Sequence, residues 1–403
     1  MGGRVRYRRS TLAAVLLLLV AACGLDGGGA EPSPTATVDP QLVVPAGEVA
    51  FDQPVTLQVQ DGTFESATVT PQAGEPLAGS VGDDGASWVS ESPPLPGVTY
   101  SVQAEVADEV GTPRALTGTF TVAAVPDESR LTLTVQPGDG EVVGVGAPIV
   151  VRFDQDVTEQ AAVERALHVA SEPQVVGSWH WVSSTEVHFR PQAYWPSGTR
   201  VGVNLDLNGI QAGDGLWGGR AYTYAFTVGK AQVATVDAAS HTMIVTVDGA
   251  AFGTWDTSLG RPEFATRNGT YVVLSKDATR QMTSCNADIT CDKNSPEYYD
   301  LEVDWSVRLT WSGTFVHSAP WSEASQGAEN VSHGCLNLSD ANGRTYYEMA
   351  QYGDVVTVTN STRGPEDLVQ RGDPGMVDWN VPWATYIAGS ALGQQVTTES
   401  TAG

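Results

Sequence analysis

One stretch of the chain brings reactive side chains together at short spacing. His317 closes the apolar run GTFVH, and after fourteen intervening residues Ser332, His333, Gly334 and Cys335 follow in VSHGCLNLS. A thiol with a free pKa of about 8.5 is mostly protonated at neutral pH, and a neighbouring imidazole can take its proton. Gly334 lets a backbone approach closely, and successive N–H groups there could face a developing oxyanion. That layout suits acyl transfer through a thioester.

Two other readings use the same residues. His317, His333 and Cys335 could be zinc ligands, since Cys and His are the usual donors, but a fourth ligand is not evident. Alternatively, Cys335 is a buried structural cysteine beside two hydrogen-bonded histidines. The chain has only 6 His and 4 Cys, so two histidines this close to an unpaired cysteine favour chemistry.

The other cysteines depend on compartment. MGGRVRYRRS carries four arginines, the apolar run TLAAVLLLLVAA follows, and Cys23 comes next. A basic start, a short apolar run and small residues before the cut make a secretory signal, too short for a comfortable membrane span. VAAC resembles a bacterial lipobox, which implies a lipoprotein signal peptide over 1–22, cleavage before Cys23 and lipid on its sulfur. Outside the cytoplasm thiols tend to pair. Cys285 and Cys291, enclosing NADIT, are therefore expected to form a local disulfide, which leaves Cys335 free.

The elements that must position these residues read as β-structure. TYSVQAEV (99–106), RLTLTV (130–135), RVGVNLDL (200–207) and YTYAFTV (222–228) alternate apolar and polar residues, the mark of half-buried strands. GVTYSVQAEV is echoed by GTRVGVNLDL about one hundred residues later, which fits tandem sandwiches. HTMIVTVDGAAFGTW reads as a hairpin turning at Asp248–Gly249, and RLTWSGTFVHSAP as another around Ser312–Gly313. DANGRTYYEMAQYG is the best helix candidate, with Asp340 as N-cap and Gly353 as its stop. The resulting division is a flexible tether at 23–45, immunoglobulin-like sandwiches at 46–125 and 126–229, and a β-rich catalytic domain with one or two short helices at 230–360. Residues 361–403, with Trp379 and Trp383, are expected to pack back on the domains.

Composition sets outer limits. The 403 residues carry a net charge of −26, which disfavours nucleic acid and anionic lipid headgroups as partners.

The segment HSAPWSEASQGAENVSHGCLNLS resembles the active-site signature of the L,D-transpeptidases, peptidoglycan cross-linking enzymes with a YkuD-type catalytic domain. Tyr299 ahead of VDW, the DWNVPW segment and two leading sandwiches are similar to the actinobacterial branch of that family. The resemblance covers about residues 128–390 well and 46–127 loosely. It implies Cys335 as nucleophile, His317 as general base, and the Ser318 carbonyl as the group that orients the imidazole. His333 would line the site and assist. Amides around His333, Gly334 and Cys335 would hold the oxyanion, with the Tyr299 hydroxyl nearby. Met282 would lie on a lid, and Trp321, Ser332 and Asn337 would contact substrate. Two features depart from the pattern: the cysteine pair inside TRQMTSCNADITC, and ATRNGTY, which lacks an expected proline.

The implied reaction takes a tetrapeptide stem as donor, releases D-alanine, and passes the acyl group to another stem's diamino acid as a 3→3 cross-link. No metal or organic cofactor is implied. The expected setting is the outer face of the cell membrane, with a monomer held by lipid on Cys23 and reaching into the wall. The competing readings are an L,D-carboxypeptidase or other cysteine hydrolase of wall peptides, and a non-catalytic wall-binding lipoprotein.

Overall fold

In a computed structural model, residues 38–287 and 289–401 are described. The basic leader, its apolar run and Cys23 lie outside the described residues, so the lipoprotein signal is not addressed by the fold. Among the described residues no helix is long and apolar enough to cross a membrane.

The period-two segments become paired strands. Thr99–Asp108 buries Tyr100, Val102, Ala104 and Val106 on one face and pairs with both Gly62–Pro71 and Pro113–Val122. A second four-stranded sheet faces it with Leu57 and Trp88, and the Tyr100 and Phe120 rings stack at 5.3 Å inside the sandwich. This sandwich begins earlier than expected. Gln41–Val43, within the stretch assigned to the tether, is its edge strand, pairing Leu42 with Val59. Three residues are too few to show a period, but Leu42 still covers the core.

The second sandwich packs Trp179, Phe189, Trp195 and Phe226 between a five-stranded and a four-stranded sheet. The expected strand 130–135 divides at Thr132. Arg130–Leu131 pairs with Leu216–Gly218, and Leu133–Gln136 pairs with Ile149–Phe153. The two sandwiches meet where the Phe51 and Trp217 rings lie edge to face at 5.4 Å and Asn208 Nδ2 donates to Pro96 O at 3.3 Å.

A third core lies between a five-stranded sheet and a four-stranded one. The latter runs Ser275–Thr283, Asp300–Arg308, Phe315–Ser318, Leu336–Leu338 in that order. Its inner face contributes Val307, Val316, Leu336 and Leu338 to a cluster with Met243, Tyr271 and Tyr346. The hairpin at Asp248–Gly249 forms as expected, both residues having positive φ (49° and 78°), as a type I′ turn requires. The helix spans Asp340–Met349, but its N-cap is Ser339, whose hydroxyl accepts the Asn342 N–H at 3.3 Å. Ser339 has the extended backbone a cap needs (φ −59°, ψ 160°), so Asp340 falls in the first turn. Ala350 turns the chain extended before Gly353 is reached.

The last residues pack back as expected. Val396–Thr397 adds to the second sandwich beside Val176–Gly177. Trp379 Nε1 donates to Gly146 O at 2.9 Å, while Asn380 Oδ1 accepts the Thr270 N–H at 2.8 Å, which ties this segment to both the second sandwich and the third unit. The Arg190 guanidinium faces the rings of Trp379, Trp383 and Tyr386 at 4.7, 4.6 and 4.5 Å.

Candidate active site

The positions of His317 and Cys335 follow from strand register. Phe315–Ser318 runs parallel to Leu336–Leu338, with Val316 beside Leu336 and His317 beside Asn337. Val316, Leu336 and Leu338 are apolar and point into the core. Side chains alternate along a strand, so Phe315, His317, Cys335 and Asn337 share the opposite face. The alternation in GTFVH and GCLNL thus puts thiol and imidazole on one side of the sheet.

His317 is buried, and its Nδ1 lies 2.8 Å from the Ser318 carbonyl oxygen. A carbonyl only accepts, so Nδ1 carries the proton and Nε2 keeps its lone pair. Burial pushes the imidazole down to about 4, which leaves it neutral and able to accept. Cys335 is half-buried, and its thiol points weakly at Gly313 O, 3.7 Å away. Burial pushes the thiol up to about 11, against smaller opposite pulls from a backbone contact at Phe315 and then from Arg308. At rest both groups are neutral, so no thiolate–imidazolium pair stands preformed.

Cys335, His317, Tyr299 and Met282 open onto one cavity of about 300 Å3, with Trp321, Ser332, His333 and Asn337 also on its wall. Met282 and Tyr299 come from the neighbouring strands Ser275–Thr283 and Asp300–Arg308 and their connection, the stretch assigned to the lid. Trp321 stands 57% exposed at the rim, its ring 6.1 Å from that of His317. Asn337 is buried, donates to Ser322 Oγ at 3.1 Å, and leaves its Oδ1 without a partner. Burial, and less so Cys335, pushes the Tyr299 hydroxyl up to about 12, so it stays protonated and can donate.

Two expected roles change. The Gly334 N–H does not face the cavity as an oxyanion donor but donates to Ser332 Oγ at 3.0 Å, because a φ of 119° turns that amide back into the loop. The Ser332 hydroxyl, expected to meet substrate, is also spent within the turn, donating to Cys335 O at 2.7 Å. The N–H groups of His333 and Cys335 have no partner among the described residues. Ser318 keeps its orienting carbonyl and also donates its hydroxyl to Asp340 Oδ1 at 3.0 Å.

The fold adds residues that no motif announced. His333 Nε2 lies 2.8 Å from Glu297 Oε2, and Arg261 grips the same carboxylate. Those bonds, the one from His333 first, hold the Glu297 carboxyl below its ordinary value. The ring of His333 lies between those of Phe264 and Tyr299, at 4.9 and 5.1 Å. Thr266 Oγ1 donates to Gly334 O at 3.0 Å and supports the turn from below. Cys285 and Cys291 are disulfide-bonded with Cα atoms 4.4 Å apart, and the intervening loop brings Asn286 and Ala287 close to Cys335.

This arrangement can be set against known proteins. A family model described as the L,D-transpeptidase catalytic domain matches residues 231–358, and one described as a bacterial Ig domain matches residues 46–211. L,D-transpeptidase 2 of Mycobacterium tuberculosis (strain CDC 1551 / Oshkosh) is 35% identical over 407 residues, covering 96% of this chain and 97% of that one. L,D-transpeptidase 5 of Mycobacterium tuberculosis (strain ATCC 25618 / H37Rv) is 33% identical over 368 residues, covering 90% and 78%. Among solved structures, LD transpeptidase LdtMt1 in complex with imipenem superposes with a TM-score of 0.50 at 38% identity, over 57% of this chain and 99% of that one. With matches along almost its whole length, and with a cysteine and a carbonyl-bonded histidine on one sheet face, the chain belongs to the L,D-transpeptidase family.

Proposed function

We propose that the protein is a peptidoglycan L,D-transpeptidase that forms 3→3 cross-links through a Cys335 thioester. The observation that carries this reading is the His317 Nδ1 contact with the Ser318 carbonyl, which aims a basic Nε2 along the face that bears Cys335. As Sγ bonds to the carbonyl carbon of the donor's third residue, the thiol proton passes to His317 Nε2. The N–H groups of His333 and Cys335, with the Tyr299 hydroxyl, take the developing oxyanion. The C–N bond then breaks, and His317 returns the proton to the amine of the departing D-alanine. An acceptor amine repeats these steps in reverse and frees the thiol. Asn337 and Trp321, on the wall of the same cavity, would contact the stem peptide. Carbapenems, as activated acyl donors, should acylate the same sulfur.

The setting belongs to the same proposal. Lipid on Cys23 would hold the chain at the outer face of the membrane, and the two sandwiches would carry the catalytic unit, as a monomer, into the wall. The basic leader and the lipobox-like VAAC support it.

The test incubates the chain lacking its first 23 residues, and its Cys335→Ala variant, with disaccharide-tetrapeptide and follows products by mass spectrometry. A dimer short of one D-alanine, made only by wild type, is the expected result. Tripeptide without dimer would instead identify a carboxypeptidase. No turnover by folded wild type would leave a binding protein.

A further inference from the structure

Cys335, Met282 and Tyr299 also line a second, smaller cavity. Its volume is about 70 Å3, room for a few heavy atoms rather than a peptide. The two spaces differ in charge. The larger has no arginine or lysine on its wall, whereas the smaller has Arg280 and Arg308 and no carboxylate.

Strand register brings Arg308 there. It sits directly opposite Phe315, and Phe315 precedes Val316 as Cys335 precedes Leu336 in the next pairing. Val307, Val316 and Leu336 form the row that enters the core. Arg308, Phe315 and Cys335 therefore form a row on the opposite face. The Arg308 guanidinium lies 4.4 Å from the centre of the Phe315 ring, and the Arg280 guanidinium lies 5.4 Å from it. Arg280 already has a partner in Asp277, at 2.6 Å. Arg308 has no ion pair among the described residues. Its Nη1 donates to the carbonyls of Thr310 and Trp311 at 2.9 and 3.2 Å, while Nε and Nη2 have no partner among these residues. A half-buried guanidinium with a donor edge open beside the nucleophile is suited to a carboxylate.

We propose that this smaller cavity is a carboxylate subsite in which Arg308 holds the carboxylate of the departing D-alanine and then that of the incoming acceptor. The inference rests on the transpeptidase reading above and adds what the leaving-group side recognises. The acyl side of the donor is a long stem and needs the larger, open space. The leaving side is a single residue whose carboxylate carbon lies about 2.5 Å beyond the scissile nitrogen. An acceptor amine on a carbon that also bears a carboxylate presents the same pair of groups, so one subsite serves both half-reactions. No new bond is involved: Arg308 orients, and the thioester chemistry proceeds as described.

The test compares two donors that differ only in a terminal carboxylate or carboxamide, with kcat/KM read from release of D-alanine or D-alaninamide. Wild type should prefer the carboxylate by on the order of 10- to 100-fold, the scale of a charged hydrogen-bonded pair. Arg308→Gln should lose most of that preference, falling on the carboxylate donor far more than on the carboxamide. Arg308→Lys should keep part of it, having the charge without the fork. The preference is a ratio within one folded protein, so a partial loss of stability does not mimic it. An indifferent wild type, or equal losses on both donors in Arg308→Gln, would overturn the subsite while the transpeptidase reading stands. No release from either donor by wild type would sink that reading and the subsite together.

Discussion

His317 Nδ1 and the Ser318 carbonyl oxygen lie 2.8 Å apart, a contact between adjacent residues that sets the tautomer of a buried imidazole. Because the acceptor is main chain, no side-chain substitution at 318 removes it. The orientation of the imidazole is therefore built into the strand. Replacing His317 by Gln should lower acylation of Cys335 by a tetrapeptide donor roughly 100- to 10,000-fold, the usual range for loss of a general base. Single-turnover mass spectrometry reads this directly.

The two neutral groups give a distinctive pH dependence. Cys335 is pushed up to about 11, so its thiolate fraction, and its alkylation by iodoacetamide, should rise with pH through the alkaline range without levelling off near neutrality. His317 is pushed down to about 4 and becomes protonated only below that value. Acylation by substrate should accordingly persist at pH 5 and fall only in stronger acid. An alkylation rate that levels off near pH 6 would instead indicate a preformed thiolate–imidazolium pair.

Glu297 anchors His333 from outside the signature motif, together with Arg261. Glu297→Gln weakens that anchor while leaving the nucleophile and base in place. The expected outcome is a several-fold fall in kcat/KM with an unchanged melting temperature. A variant as active as wild type would show that His333 needs no such restraint.

His188 joins the second sandwich to the C-terminal segment. It is fully buried, with Nδ1 3.0 Å from Asp378 and Nε2 2.7 Å from Glu186. Burial alone would lower its pKa, but Asp378 and then Glu186 outweigh this and raise it from 6.5 to about 9. A raised histidine contributes stability that is fully present below about pH 6.5 and lost as pH rises through 9. The loss should approach roughly 3 kcal/mol for this shift, shared with its two carboxylates and not added to theirs. Denaturant unfolding at pH 6, 8 and 9.5 should show it, and His188→Gln should flatten that part of the profile.

Arg190 faces three aromatic rings of the same C-terminal segment. Lysine cannot stack a planar group on them, so Arg190→Lys should cost about 1–3 kcal/mol. Unfolding at neutral pH measures the loss, and protease sensitivity should increase first around residues 376–390.

Much of the site was legible because its logic is local. Period-two alternation placed the strands, and the close spacing of His317, His333 and Cys335 marked them as one group before strand register put His317 and Cys335 on one face. The oxyanion donors were less legible. Neighbouring amides look alike in sequence, and only the positive φ of Gly334 removed one of them from the cavity. The helix start failed for a related reason. Ser339 and Asp340 are both good caps, and only backbone angles choose between them.

By itself the sequence determined the β-rich architecture, the pairing of Cys285 with Cys291, and the grouping of His317, His333 and Cys335. Each depends on residues close together along the chain, where spacing dictates which side chains share a face. Tertiary structure alone decided that Glu297 and Arg261 hold His333, that Arg308 shares a cavity with Cys335, and that residues 396–397 complete a sheet begun more than 200 residues earlier. These contacts join positions distant along the chain, and a single sequence carries no periodicity that marks such a pair.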